Sequence, residues 1–181
     1  MLILGIDPGT TRIGYSLIKK TPKDLELIEC GVYTTKATDM QGRLSSLAKN
    51  LRKTLKNFSP DLIAMERIFF FKNKKTAFEI AQAVGVMTLL SAQFKITQVQ
   101  YTPLEIKQTI TGYGLSEKEE VAAEVFKILR IKKLEGYDDM TDAIAITLTA
   151  ICRFYYKNKS FYEELNSKSN KKIKKGRLNK K

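Results

Sequence analysis

The sequence contains no histidine and only two cysteines, Cys30 and Cys152, among its 181 residues. Two widely separated cysteines provide neither a disulfide framework nor a CxxC motif, and zinc sites usually draw on histidine as well. The chain also lacks an apolar run of the roughly 20 residues that cross a bilayer. Its N-terminal segment lacks the charged region and the longer apolar core of a signal peptide. We therefore expect a soluble, cytoplasmic protein with no membrane partner.

Acidic residues are in the minority, because 19 Asp and Glu stand against 32 Lys and Arg. The formal net charge of +13 predicts a polyanionic partner, most simply a nucleic acid. An anionic membrane surface or a generally lysine-rich proteome would account for the same charge. The length suits one domain with a sizeable core.

Two short apolar stretches end in an acid. Leu2–Asp7 runs without a polar break to its carboxylate and is followed by a Pro-Gly turn, which is typical of a buried central strand. Leu62–Glu66 repeats the pattern, and the acidic segment 138–142 opens an apolar helix. The three acidic ends suggest one oxygen-rich site, although unrelated turn and cap residues would give the same pattern.

The order of the predicted elements indicates an α/β domain. Three strands form a meander, and two further strands alternate with helices, so we expect a mixed five-stranded sheet flanked by helices. Right-handed crossover places the fourth strand parallel to the first, with Asp7 and Glu66 side by side. The strands are expected at Leu2–Asp7, Arg12–Lys20, Leu25–Thr35, Leu62–Glu66 and Ile96–Tyr101. The helices are expected at Thr38–Phe58, at Thr76–Gln93, after Pro103, from a Ser116/Glu119 capping box to about Ile131, and from Asp138 or Asp139 onward.

The chain divides into two parts by composition. Residues 1–156 carry all the predicted elements, and hydrophobicity collapses beyond them. The segment 157–181 is rich in lysine and is predicted to be a disordered basic tail that contacts phosphates or aids solubility.

The acids could form a divalent metal site. Asp139 and Asp142 lie three positions apart and Asp138 and Asp142 four, so either pair shares a helix face, and with Asp7 and Glu66 it would supply four carboxylates. Such ligands suit Mg²⁺ or Mn²⁺, and two ions can clamp a phosphodiester during hydrolysis. Each acid also has an ordinary explanation: a helix cap for Asp139, an Asp-Pro-Gly turn for Asp7, and pairing with Arg67 or a lysine for Glu66.

Several basic and aromatic residues could contact nucleic acid. Lys107 and Lys118 could reach a phosphate, although single surface lysines are more often merely solvated. Three consecutive phenylalanines precede Lys72, and they cannot easily all face inward. An exposed ring such as that of Phe69, flanked by lysines, could stack on an unpaired base.

Four segments together resemble RuvC, the family of bacterial Holliday-junction resolvases. These segments are GIDPGTTRIGYSLI (5–18), IAMERIFFFKN (63–73), IKQTITGYGLSEKEEV (106–121) and DMTDAIAITL (139–148). The resemblance covers roughly residues 1–155 and implies a ribonuclease H-like fold in a homodimer. It further implies Mg²⁺-dependent, symmetric nicking of four-way DNA junctions that leaves 5′-phosphate ends, in recombination and repair. A branch-migration helicase complex is a partner of the family.

The resemblance also assigns roles to residues. Asp7, Glu66, Asp139 and Asp142 match the family's metal-binding and catalytic acids, although DMTDA departs from the commoner DAADA and has Asp138 beside it. Phe69, Lys107 and Lys118 match its DNA-contacting positions. The helix at 76–93 matches its dimerisation element.

Three other functions stay open at this point. The segment 5–11 also resembles the phosphate loop of the actin, hexokinase and Hsp70 ATPases, but those proteins need two such domains. A non-catalytic junction-binding protein would not need all four acids. A related nuclease acting on another branched or RNA-containing substrate would share the same metal site.

Overall fold

The computed structural model describes residues 1–22, 24–67, 74–131 and 138–155, with the side chains of Lys74 and Lys75 left aside. These residues form five strands and five helices: three strands come first, then helices and strands alternate, and three successive helices end the order. The strands are β1 (Leu2–Asp7), β2 (Arg12–Lys20), β3 (Leu25–Thr34), β4 (Leu62–Glu66) and β5 (Thr97–Tyr101). The helices are α1 (Met40–Phe58), α2 (Lys74–Gln93), α3 (Pro103–Thr111), α4 (Lys118–Leu129) and α5 (Asp138–Tyr155).

The five strands form one mixed sheet in the order β3-β2-β1-β4-β5. β1 pairs antiparallel with β2 and parallel with β4, and β4 pairs parallel with β5. Ile6 of β1 lies opposite Met65 of β4, so the next residues, Asp7 and Glu66, end neighbouring strands at the same edge of the sheet. The predicted mixed sheet and the position of the fourth strand beside the first are both confirmed.

Helices cover both faces of the sheet. Alternate side chains of β1 point to opposite faces, so Leu4 and Ile6 pack with α1 and α2, whereas Ile3 packs with α3, α4 and α5. Asp7 therefore belongs to the face of Ile3. Glu66 belongs to the same face, because Leu62 and Ala64 of β4 pack there too. The period of two thus directs both acids toward α5.

Small residues let α5 lie close to β1 and β2. A Cβ atom on Gly5 would come within 2.6 Å of the Ala143 carbonyl oxygen, and one on Gly14 would collide with the carbonyl of Asp139. The Ser16 hydroxyl donates a 3.0 Å hydrogen bond to the same Ala143 carbonyl. This close packing brings the acidic first turn of α5 over the ends of the strands.

The start of α4 differs from the prediction. Its N-cap is Glu117, which forms a reciprocal capping box with Glu120, rather than Ser116 with Glu119. Ser116 is buried and its hydroxyl lies 2.8 Å from that of Thr111, so its side chain is committed to the preceding helix. The capping motif was therefore predicted one residue too early. Within the described part of the chain, none of the helices combines the length and apolar character needed to cross a membrane.

Candidate active site

Asp7 lies at the centre of a cluster of acids. Burial raises its pKa to about 7, and the charges of Asp142, Glu66 and Asp139 add to this effect in that order. Lys118 opposes the shift but does not cancel it. Because charges in contact with water act over only short distances, this coupling means that the other three predicted acids lie near Asp7.

Glu66 has the same character. Burial raises its pKa to about 7, the charge of Asp142 adds to the rise, and Lys118 and Lys107 act in the opposite direction. Two partly buried carboxylates with such pKa values carry more negative charge than the surrounding protein compensates at neutral pH. An added cation near Asp7 and Glu66 would therefore favour their ionised forms.

Lys118 joins α4 to the acids of α5. Its ammonium nitrogen lies 2.8 Å from a carboxylate oxygen of Asp142 and 3.6 Å from one of Asp138. Burial lowers the pKa of Lys118, but the hydrogen bond and charge of Asp142 outweigh this and hold it above its usual value. The pKa of Asp142 is also raised, because burial and the charges of Asp138 and Asp139 outweigh the contact with Lys118.

Asp139 is held by Arg12, a residue that the sequence patterns did not single out. The Nε and Nη2 groups of Arg12 both donate to Oδ2 of Asp139, at 2.9 and 2.6 Å. The sequence does place a basic residue five positions after Asp7, directly after the turn between β1 and β2. This position could have identified Arg12 as a residue near the acids. Its acidic partner lies 127 positions away, and no local pattern identifies that partner.

A cavity of about 230 Å³ opens beside the acids. Its floor is apolar, and two acids and two lysines surround it. The lining residues are Glu66, Pro103, Ile106, Lys107, Lys118, Val121, Asp142 and Ala145. The structure therefore brings both predicted lysines to the acidic site. Phe69, Lys72 and the tail 157–181 lie outside the described residues.

The four carboxylates have the chemistry of ligands for a divalent ion, but their present spacing does not form a binding site. Carboxylate oxygens are the ligands that Mg²⁺ and Mn²⁺ prefer. Among the described residues, however, no three acidic or cysteine side chains are arranged to hold an ion. Arg12 engages Asp139 and Lys118 engages Asp142, so two of the four carboxylates are paired with cations of the chain itself.

Comparisons with known proteins identify the family of this chain. A sequence model described as "Crossover junction endodeoxyribonuclease RuvC" matches residues 3–150. The chain belongs to the RuvC family. Members of this family are metal-dependent nucleases. The family resemblance and the ribonuclease H-like fold predicted from the sequence are thus confirmed.

Individual relatives match over most of their length. RuvC of Petrotoga mobilis is 40% identical over 153 residues, which cover 84% of this chain and 92% of that protein. RuvC of Syntrophomonas wolfei is 38% identical over 174 residues, covering 95% and 99%. Thermus thermophilus RuvC in complex with a Holliday junction substrate is similar in structure, with a TM-score of 0.76 and 29% identity over 82% of this chain and 92% of that one.

Proposed function

We propose that this chain is a structure-specific endonuclease that resolves four-way DNA junctions by symmetric paired nicks, in recombination and repair. Hydrolysis would leave a 5′-phosphate and a 3′-hydroxyl at each nick, so the products could be religated. Membership of the RuvC family and the junction bound by the Thermus relative support this substrate. A DNA substrate also suits the strongly basic composition and a cytoplasmic location.

The observation that carries the proposal is the convergence of four acids from distant parts of the chain. Asp7, Glu66, Asp139 and Asp142 come from β1, β4 and the first turns of α5, and the charges of the other three all act on Asp7. Burial and mutual repulsion disfavour their ionisation in the absence of added cations. A protein gains nothing in stability from such a cluster, so a cation-binding role explains it better than helix capping or turn formation.

These four carboxylates are the proposed metal ligands, with Mg²⁺ as the physiological ion, Mn²⁺ as a substitute and two ions per site. Bound ions would activate the attacking water and stabilise the charge on the departing 3′ oxygen. Asp7 and Glu66 are fixed by the ends of paired strands, which gives them little freedom to move. Asp139 and Asp142 would have to leave Arg12 and Lys118 to complete the site.

Lys107 and Lys118 are proposed to hold the scissile strand. Both line the cavity beside Glu66, so a phosphate entering this cavity would meet two ammonium groups next to the acids. Once DNA and ions are bound, the contact of Lys118 with Asp142 could be exchanged for one with a phosphate. Phe69 and Lys72 are proposed to contact the junction.

A homodimer is proposed to make the two nicks, with α2 at its interface. Phe78 and Leu89 of this helix are 64% and 57% exposed in the single chain. Gln82 and Gly85 lie between them at spacings of four, three and four residues, so one helix face presents two exposed apolar side chains on either side of a glutamine and a glycine. A second copy could bury this face and place the second active site for the opposing strand.

The remaining proposals concern the ends of the protein and its partners. Residues 1–156 would form the nuclease domain, and the basic segment 157–181 would contact phosphates without sequence preference. A branch-migration helicase complex would be a further partner, because a mobile junction must be moved to a cleavable position.

The direct test is incubation of the purified protein with a synthetic mobile four-way junction and Mg²⁺. Nicks at symmetric positions in two opposing strands, closed afterwards by DNA ligase, are the expected result. Binding without cleavage under these conditions would favour a non-catalytic junction protein. Faster cleavage of RNA-containing or other branched substrates would favour a different nuclease with the same fold. ATP hydrolysis without cleavage would favour the ATPase alternative.

A further inference from the structure

Arg12 and Asp139 form the closest contact between the β1–β2 hairpin and the acidic turn of α5. Two guanidinium N–H groups point at one oxygen, Oδ2 of Asp139, at 2.9 and 2.6 Å. The side chains of Arg12 and Asp139 are 51% and 29% exposed, so the pair is in contact with solvent. A small ion arriving from solvent can reach it.

The backbone of Asp139 is fixed by a neighbour of Arg12. Gly14 lies two residues after Arg12 on β2 and therefore on the same face of the sheet. Its missing side chain lets the Asp139 carbonyl approach so closely that a Cβ atom would collide with it. The peptide of Asp139 is thus held against β2, and its carboxylate accepts two hydrogen bonds from Arg12.

We propose that Arg12 is a counter-ion that competes with divalent cations for Asp139 and so sets the ion concentration at which the active site fills. The inference rests on the metal-binding function proposed above. Without a bound ion, Arg12 pairs with one of the four neighbouring carboxylates and balances its charge. Ion binding then requires Asp139 to exchange a guanidinium for the cation.

The chemistry of arginine suits this role. Arginine carries a planar, permanently charged guanidinium that suits a carboxylate partner. Exposed ion pairs contribute little to stability because water and salt screen them. A divalent ion shared by several carboxylates can therefore displace Arg12, which is then available to a DNA phosphate.

The test is a Mn²⁺ titration of the full chain without DNA, with free Mn²⁺ followed by electron paramagnetic resonance. Arg12→Gln removes the competing charge and should tighten Mn²⁺ binding by about three- to tenfold. Arg12→Lys keeps the positive charge, so its affinity for Mn²⁺ should be closer to that of the wild type. Lys127→Gln is the matched control, since it breaks the Lys127–Glu124 pair on α4 and lowers the net charge equally. Its affinity should not change.

A second measurement follows the folded state directly. Arg12→Gln should lower the melting temperature without metal, because Asp139 loses its counter-ion, and should show a larger rise than the wild type when Mn²⁺ is added. Unchanged or weaker Mn²⁺ binding by Arg12→Gln would overturn the competition while leaving the metal site intact. Wild-type protein that binds no more Mn²⁺ than Asp7→Asn would instead overturn the proposed function, and the inference with it.

Discussion

Lys118 of α4 donates a hydrogen bond of 2.8 Å to Asp142 of α5, and this contact links a helix on the rim of the cavity to the acidic cluster. If the lysine also holds the scissile phosphate, its loss should reduce catalysis more than binding. We expect Lys118→Gln to slow junction cleavage about a hundredfold, as for other electrostatic groups at reacting centres, with binding changed less than tenfold. Single-turnover cleavage and gel-shift titration measure the two effects. Lys127→Gln on the same helix is the control, and an equal loss in both variants would show that only general charge matters.

Asp7→Asn should separate stability from activity. The amide keeps the shape of the side chain but removes the charge that burial and three neighbouring acids oppose. We expect cleavage to be lost and the melting temperature of the metal-free protein at pH 8 to rise by several degrees. Glu26→Gln, on the exposed side of β3, removes the same charge elsewhere and should change neither quantity. Normal nicking by Asp7→Asn would exclude it as a metal ligand.

The metal-free protein should be less stable at pH 8 than at pH 5. The folded-state pKa values of Asp7 and Glu66 are raised from 3.8 and 4.5 to about 7, so the folded protein binds more protons than the unfolded chain between these limits. Stability is therefore full below the unfolded pKa values and declines as the pH rises through about 7. We expect a fall in melting temperature on the order of 5–10 °C.

The absence of histidine simplifies this measurement, because no imidazole titrates between pH 5 and 8. Calorimetry in the presence of a chelator follows the transition. The double variant Asp7→Asn, Glu66→Gln should lose most of the pH dependence. A wild-type melting temperature that is flat across this range would contradict the proposed electrostatic strain.

The packing of α5 on β1 should tolerate no methyl group at Gly5. A Cβ atom there meets Thr147 and the Ala143 carbonyl, and backbone cannot move aside as a flexible side chain can. We expect Gly5→Ala to lower the free energy of unfolding by about 2–4 kcal/mol and to reduce cleavage, since α5 carries two of the acids. Gly85→Ala is the contrasting variant, because nothing lies within 4 Å of its added methyl group. If urea unfolding gave Gly5→Ala and Gly85→Ala equal stabilities, the packing of α5 on β1 would not depend on this close approach.

The exposed face of α2 should control the oligomeric state. Leu89→Glu places a charge on the proposed interface and should convert a dimer into a monomer in sedimentation experiments at micromolar concentration. Paired nicks should then become single, uncoordinated ones. Ile28→Glu is the control, since Ile28 of β3 is also exposed, at 39%, but lies on another element. A Leu89→Glu protein that stays dimeric would move the interface away from α2.

The sheet and most element bounds could be predicted because their causes are local. Apolar runs ending in acids marked β1 and β4, alternation marked β2, and spacings of three and four marked α1. The ends were less certain, and Ser116 shows why: its type suits an N-cap, but a hydroxyl contact with Thr111 uses it instead. The pair Ser116 and Glu119 and the pair Glu117 and Glu120 are each separated by three residues, as the capping motif requires. Only tertiary contacts decide which pair starts the helix.

The sequence by itself determined which side chains could carry the chemistry: acids at the ends of apolar strands and in the first turn of an apolar helix, with no histidine to share the work. Tertiary structure decided how those acids are partnered. Asp139 pairs with Arg12, which lies 127 positions away in the sequence. This pairing requires α5 to lie close to β2, and the missing side chain of Gly14 makes that approach possible. Local propensity determines which helix or strand carries a charged residue. The electrostatic balance of a site, however, depends on the charges of all the elements that meet there, and these meet only in the folded chain.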